Sequence, residues 1–582
     1  MSYLQNLREA CSREDVANLL GFTPSGLAYI VHKIPDEKKY TSFEIPKRSG
    51  GTRKIDAPIP ELKALQLRLA KVLYVCRQEM QTDGYRPLAH AFERGRSIVT
   101  NASLHKRRRY VLNLDLKDFF PSLNFGRVRG FFIKDSYFSL HEDVATLIAQ
   151  IACYANALPQ GSPCSPIISN LVGHLLDTRL VRFAKKHKCT YSRYADDITF
   201  STNQKEFPAA LAAPVQGTTS QWEVGALLKA KIEHSGFEIN PAKTRMQYRG
   251  SRQVTTGLLV NLKVNTRPEY YRTARAMCHA LFSKGTYYKM VPASLAGGSS
   301  GDGPVKVDAT SLRPLEGILS HVHQIKLKTD WGLKVSPKKS PFERTIYTRF
   351  LFYKNFVASD APLIVSEGAT DTIYLRASIK KLEKYHPTLG QFVDGKFSTN
   401  VRFLNCSDVI QSTLKLGNGT GGLANLVHNY DKTLKGFGHA PLNHPVILLI
   451  DNDDGATSVF KAVKKFATVT HKSTKPFYHL VSNLYLVKTP ELKPKITSCI
   501  EDLFSRELRK SVLNGKSFDP NGSDGTYGKF VFATQVVKPN IHTIDFSAFA
   551  SLLDRLVAVI KDYEMRKAKQ PIKEAGKKKP AE

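Results

Sequence analysis

The sequence predicts an α+β first part followed by an α/β part with a mainly parallel sheet. Three stretches carry this expectation. Residues 190–202 set two adjacent carboxylates, Asp196 and Asp197, between runs of β-branched and aromatic residues, the pattern of a hairpin with acids at its tip. The apolar run from Tyr110 to Phe120 is a strand that carries a third acid, Asp115. Far downstream, two short apolar strands end in acids, one at Glu367 and one at Asp451 and Asp453, with helical sequence between them.

Composition narrows the function classes. A chain of 582 residues has room for roughly three or four domains, each with its own core. Hydrophobic residues at 42% exclude a mainly disordered chain. Lys plus Arg outnumber Asp plus Glu by 85 to 51, and the net charge of +34 carries a self-repulsion that a bound polyanion relieves, with nucleic acid the leading candidate. The eight cysteines show no C-x-x-C pair, which argues against a zinc ribbon or a disulfide framework and fits a reducing cytoplasm. The N-terminus is charged where a signal peptide needs an apolar core, and no apolar run reaches the ~18 residues of a bilayer span. A soluble cytoplasmic protein without a membrane segment is expected.

In chain order, Ser12 caps a first short helix that closes near Gly21. Strands at 40–46 and 53–57 form a hairpin around the basic turn 47–52, whose glycines supply backbone freedom. Cations on such a tip, Arg53 among them, suit a triphosphate, although an exposed basic turn is more often plain surface. Residues 61–80 hold Leu65, Leu69, Val72, Leu73 and Cys76 at helical spacing and read as a core helix. Then come Asn101-Ala-Ser-Leu-His105 and the cluster Lys106-Arg107-Arg108-Arg109, whose cations suit a phosphate backbone.

An acid in an apolar strand is expensive to bury alone, so Asp115 is the natural partner of Asp196 and Asp197. Paired acids raise each other's pKa unless a cation neutralises them, and a divalent metal is the simplest neutraliser. Read by itself, the Asp pair is an ordinary polar turn. The loop 158–166, with Gln160 and Gly161, opens a helix at 165–186 and brings backbone amides close to a ligand.

Asp115 followed by Phe119-Phe120, the Gln160-Gly-Ser-Pro loop, Tyr194-Ala-Asp-Asp197, and Gly236-Phe-Glu-Ile-Asn240 with Lys243 and Thr244 resemble, in order and spacing, the palm motifs of reverse transcriptases. Asn101-Ala-Ser-Leu-His105 is similar to the N-A-x-x-H signature of bacterial retron enzymes. The second retron signature, V-T-G, resembles Gln253-Val-Thr-Thr-Gly257 with one extra threonine. Intron maturases and diversity-generating enzymes are the rival reverse transcriptases, and no zinc-ligand or His-Asn-His tail of the intron kind is present. The resemblance implies a right-hand polymerase of fingers, palm and thumb. Asp115, Asp196 and Asp197 would hold Mg²⁺, with Mn²⁺ as an alternative. Phe120 would exclude ribonucleotides, Gln160 and Gly161 would border the nascent pair, Arg53 would hold the deoxynucleoside triphosphate and Lys243 would protonate pyrophosphate. Asn101, His105, Arg107, Arg108, Thr256 and Gly257 would contact RNA.

Past residue 260 the chain turns helical and basic, with a thumb helix at about 267–285 and a flexible loop at 296–304. The strand ending in Glu367-Gly and the strand ending in Asp451-x-Asp453 resemble the TOPRIM domain of topoisomerases, primases and nucleases. That resemblance implies a second Mg²⁺ site on Glu367, Asp451 and Asp453. Asp371 is similar to an extra acid of the nuclease branch, and Glu501 is a further candidate. The expected domains are fingers and palm at 1–260, thumb at 261–330, a linker at 331–358, TOPRIM with its extension at 359–565 and a mobile basic tail at 566–582. Together the resemblances imply that a structured noncoding RNA serves as template and primer. Synthesis would start on an internal 2′-OH and leave RNA-linked DNA. A nuclease effector in bacterial antiphage defence is implied, and a homo-oligomer is allowed. The alternatives are an RNA-binding scaffold for the nuclease and a TOPRIM module that binds without cutting.

Overall fold

The computed structural model describes residues 2–47, 51–217, 221–291, 303–329, 342–404, 407–417, 419–492, 496–520 and 522–569. The chain forms two compact units, Met1–Pro268 with Ile325–Leu333, and Glu269–Gln324 with Lys334–Glu582.

In the first unit, Ser12 caps the helix Arg13–Leu20 reciprocally with Asp15, and Gly21 closes it at φ +69°. Strands β1 (Tyr40–Pro46) and β2 (Thr52–Pro58) pair as the expected antiparallel hairpin. Helix α1 (Pro60–Thr82) buries the predicted apolar stripe. After α2 (Ile98–Ser103), strand β3 (Tyr110–Lys117) becomes the centre of an antiparallel sheet. Helix α3 (Ser165–Lys186) leads into β4 (Thr190–Tyr194) and β5 (Asp197–Thr202). The order is β4-β5-β3-β6, with β6 (Glu238–Ile239) and β7 (Arg245–Tyr248) both pairing with β3. Leu112, Leu114, Ile198 and Phe200 from the sheet and Leu176 and Leu180 from α3 share one core, which fixes the register and so the position of the acids.

A small separate core joins the two retron-like motifs. Val99 and Ala102 of α2 pack with Leu258 and Val260, next to the hairpin β8 (Val254–Thr255) and β9 (Leu258–Leu259). Thr256 and Gly257 form its two-residue turn at φ +47° and +79°. Both are positive, as a tight hairpin turn demands, so the extra threonine serves as a turn residue.

The second unit begins with α4 (Pro268–Lys284) and the hairpin β10 (Tyr288–Val291) with β11 (Val305–Asp308), followed by α5 (Arg313–Thr329), whose residues from Ile325 belong to the first unit, and α6 (Phe342–Phe352). Its sheet is built from β12 (Leu363–Ser366), which leads into α7 (Ala369–Lys381), then β13 (Arg402–Phe403), β14 (Val446–Ile450), β15 (Tyr478–Val481) and β16 (Leu484–Lys488). The order β13-β12-β14-β16-β15 has three parallel pairings and one antiparallel edge. Strands β12 and β14 are buried along their whole length, as central parallel strands between two layers must be. The last helix among the described residues is α8 (Ala550–Lys569).

The compact units do not follow the expected domain boundaries. The segment expected as a linker contains α6 and a helical turn through Tyr353–Val357, and its Tyr347, Phe350, Leu351, Phe352 and Phe356 are buried. Phe282 of α4 lies 5.5 Å from Tyr353 and 5.1 Å from Phe437, ring centre to ring centre. Lys354 binds Glu316 of α5 at 2.6 Å. The thumb-like helices therefore share a core with the parallel sheet, because five aromatic or aliphatic side chains in a presumed connector need burial. The hairpin β10–β11 replaces part of the expected helical thumb, and the loop at 296–304 lies mostly outside the described residues. Residues 566–569 belong to α8 rather than to a mobile arm, and 570–582 lie outside the described residues. Among the described residues no helix is long and apolar enough to cross a membrane.

Candidate active site

The β3–β5 register sets Asp115 opposite Asp197. The Leu116 N–H donates to the Asp196 carbonyl at 3.0 Å, so the acid-bearing turn is tied to the end of β3. Asp115 is 6% exposed. Its Oδ1 accepts from Lys243 Nζ at 2.8 Å and its Oδ2 from Asn240 Nδ2 at 3.4 Å. Burial, then the charges of Asp196 and Asp115, push Asp197 up to about 6. Burial also raises Asp196, with Asp115 adding to the rise and Lys243 and Arg53 opposing it. Arg53 on β2 is therefore within electrostatic reach of Asp196. The hydrogen bond to Asp115 raises Lys243 in turn.

Asp196 and Asp197 are both raised beside Asp115, which Lys243 contacts, and hard oxygen donors with surplus negative charge fit a divalent cation. Among the described residues no group of three or more acid, His or Cys side chains is already drawn together as a metal cage. Lys243 on Asp115 supplies part of the missing positive charge.

The Gln160 carbonyl accepts the Asp56 N–H at 2.8 Å, which holds the loop against β2. Gly161 sits at φ +135°, and a Cβ there would collide with the Asp56 carbonyl. Glycine is required by both conformation and space. Phe120 is half-buried, its ring 5.4 Å from Phe119 and 6.2 Å from Phe92.

The model of the reverse transcriptase (RNA-dependent DNA polymerase) family matches residues 45–265, which span this whole arrangement. The retron Ec86 reverse transcriptase of Escherichia coli is 34% identical over 247 residues, covering 42% of this chain and 70% of that protein. The chain belongs to the retron reverse transcriptases. Two relatives from Myxococcus xanthus are similar over a larger part of the chain. The retron Mx65 enzyme is 38% identical, covering 46% of this chain and 62% of its own length. For the retron Mx162 enzyme the values are 36%, 47% and 59%. The chain thus spans less than two thirds of these two relatives.

The retron signatures take a different place from the one expected. His105 is fully buried, with Nδ1 2.7 Å from Ser201 Oγ and Nε2 2.7 Å from Ser192 Oγ. Burial, reinforced by Arg108, lowers it to about 3, so it is neutral and staples β4 to β5. Asn101 is likewise fully buried. Neither side chain is open to RNA in this structure, because α2 packs inward on the palm sheet. Thr256 Oγ1 donates to the Ile98 carbonyl at 3.2 Å, joining the second signature to the helix of the first. Gly257 and Arg107 remain exposed, and Arg107 donates through Nε to the Leu262 carbonyl at 3.0 Å. Arg108 is part-buried and reaches Thr190 at 3.2 Å.

A second acid cluster lies at the carboxyl ends of β12 and β14. Their parallel register, with Ser366 beside Leu449, brings Glu367 next to the strand end that carries Asp451. Burial raises Asp451 to about 8, with Asp371, Glu501 and Glu367 adding and Lys529 opposing. Burial also raises Glu367, with Asp453 the next cause, and lifts Asp371 to about 6. Glu367, Asp371, Asp451 and Glu501 therefore feel one another, and Asp453 acts on Glu367. Asp371 additionally caps α7 through the Gly368 N–H at 2.9 Å. Glu367 Oε2 and Asp453 Oδ1 are buried without a hydrogen-bond donor, and such orphaned anionic oxygens fit a cation. Lys529 Nζ stands 3.1 Å from Glu501 and 3.7 Å from Asp451. Asp502 points elsewhere, to the Cys499 N–H and to Arg509.

Sequence reasoning missed Arg193, Asp177 and Lys529. The first two carried a signal, since an arginine inside an apolar strand and an aspartate inside an apolar helix each need a partner. Lys529 follows a glycine-containing turn, where a lysine is ordinary, and carried none.

Proposed function

We propose that this chain is a retron-type RNA-directed DNA polymerase, copying a structured noncoding RNA from an internal 2′-OH into RNA-linked single-stranded DNA. The observation that carries this is the meeting of Asp115, Asp196 and Asp197 at one end of the palm sheet. Asp115 and Asp196 would hold divalent metal, with Asp197 in support. Bound there, the ions would activate the attacking hydroxyl and neutralise charge on the leaving pyrophosphate. Arg53 draws the triphosphate toward the acids. Lys243, already charged beside Asp115, is placed to donate a proton to the leaving group. Gln160 and Gly161, held against β2, would border the nascent base pair, and Phe120 would exclude a ribose 2′-OH by shape. Nucleic acid extracted from cells carrying Asp196→Asn should contain no RNA-linked DNA; normal levels would refute the palm assignment.

The second cluster supports a TOPRIM-type, Mg²⁺-dependent nuclease that acts as an antiphage effector. Glu367, Asp451 and Asp453 would hold its metal. Glu367→Ala and Asp451→Ala should each abolish defence or toxicity while leaving DNA synthesis intact. One observation favours a second reading, a module that binds without cutting: Lys529 already neutralises Asp451 and Glu501. Retained defence in both variants would support that module.

A further inference from the structure

Arg193 on β4 and Asp177 on α3 are both out of solvent, their side chains 0% and 1% exposed. Nε donates to Oδ1 at 2.7 Å and Nη2 to Oδ2 at 2.7 Å, a two-pronged pair that fixes the plane of the guanidinium. The Tyr191 hydroxyl donates to the same Oδ1 at 2.7 Å. Space for the head group comes from Gly173 of α3, where a Cβ would stand 2.9 Å from Nη2.

The third nitrogen of the guanidinium, Nη1, takes a different partner. Nη1 donates to the carbonyl of Ala195 at 3.1 Å. Ala195 lies at φ +56°, a left-handed conformation that alanine seldom adopts, between the strand and the first acid of the pair. A peptide is planar, so a fixed Ala195 carbonyl also fixes the N–H and the Cα of Asp196. On the other side, the Asp196 carbonyl is held by the Leu116 N–H at 3.0 Å. The same guanidinium lies 5.5 Å over the ring of Phe119, which meets Phe120 at 5.4 Å.

Resting on the polymerase reading, we infer that Arg193, anchored by Asp177, is a positioning residue that aims the Asp196 carboxylate and braces the Phe119–Phe120 pair. A buried ion pair with only a stabilising role would tolerate an apolar replacement of both partners. A pair that aims a metal-binding acid would not.

The test compares purified full-length wild type with Arg193→Lys and with the double variant Arg193→Met/Asp177→Leu, on an RNA template with a DNA primer. Lysine keeps the charge but lacks the planar fork that reaches Asp177 and Ala195 together. The measurements are kcat and KM for deoxynucleotide, half-saturating Mg²⁺, and the thermal melt. Expected are folded variants with kcat lower by about 30-fold or more, KM within about 3-fold and a several-fold higher Mg²⁺ requirement, as for a misplaced acid. Wild-type kcat and Mg²⁺ dependence in either folded variant would overturn the inference. Loss of the fold in both variants would assign the pair to stability alone and overturn it equally. A wild-type chain that makes no DNA on this template is a separate failure, that of the polymerase reading.

Discussion

A histidine clamped between two serine hydroxyls inside a sheet has no room for a second proton. His105 drops from the ordinary 6.5 to about 3, with burial the main cause. Below pH 6.5 the unfolded chain takes up a proton that the folded chain refuses, so this stability is full above 6.5 and is lost as pH falls toward about 3. The slope for one such group is about 1.4 kcal/mol per pH unit. Urea denaturation of the first unit at pH 7, 6 and 5 should therefore show a slope shallower by about 1 kcal/mol per unit in His105→Asn than in wild type. His90, also lowered by burial, acts equally in both proteins and cancels. Equal slopes would mean that His105 is not the buried neutral staple. RNA affinity measured alongside should be unchanged wherever the variant is folded.

Among the elements, the loop that opens α3 depends on one glycine. Gly161 combines φ +135° with a Cβ position blocked by the Asp56 carbonyl. In Gly161→Ala the loop must leave β2, and a strained backbone position of this kind costs on the order of 1–3 kcal/mol. Because the loop is bonded to β2, the strand that carries Arg53, kcat/KM for deoxynucleotide is expected to fall by about 10-fold or more. A melt and a steady-state assay on the same preparation would check both effects, and an unchanged melting temperature would contradict the packing described here. The hairpin β8–β9 teaches the complementary lesson. Its inserted threonine looked like a defect in a motif and is instead half of a two-residue turn.

At the scale of the whole molecule, the thumb-like helices and the parallel sheet share one hydrophobic core. A fragment ending at residue 330, the boundary expected from the sequence, would expose Phe282, Leu281, Leu315 and Leu319, which are now buried. Each buried apolar side chain of this size contributes about 1.5–3 kcal/mol, so the fragment should aggregate or bind a hydrophobic dye. The full chain with Glu367→Ala should stay monodisperse and keep making DNA. A soluble, active 1–330 fragment would show that the thumb-like helices do not need the parallel sheet. Metal offers a second whole-chain test. At a hundred-fold excess over its dissociation constant an ion stabilises by about 2.7 kcal/mol per site. Mg²⁺ should therefore raise both unfolding transitions relative to EDTA, with Asp196→Asn cancelling the rise in the first unit and Asp451→Ala in the second.

Local sequence was enough for the strand carrying Asp115, the acid hairpin, α3 and the two buried strands ending at Glu367 and Asp451. Period and turn chemistry are short-range properties, and acids next to apolar strands stand out. It was also enough to pick the five acids of the second unit that interact. Only the tertiary structure decided the rest. Asn101 and His105 turned from expected RNA contacts into core, because burial depends on what packs from elsewhere in the chain. The apolar side chains of 346–357 turned a linker into part of a domain. The partnership of Arg193 with Asp177 and Ala195 likewise needed a helix and a strand to be brought together, and a buried charge reveals its purpose only when its partners are known.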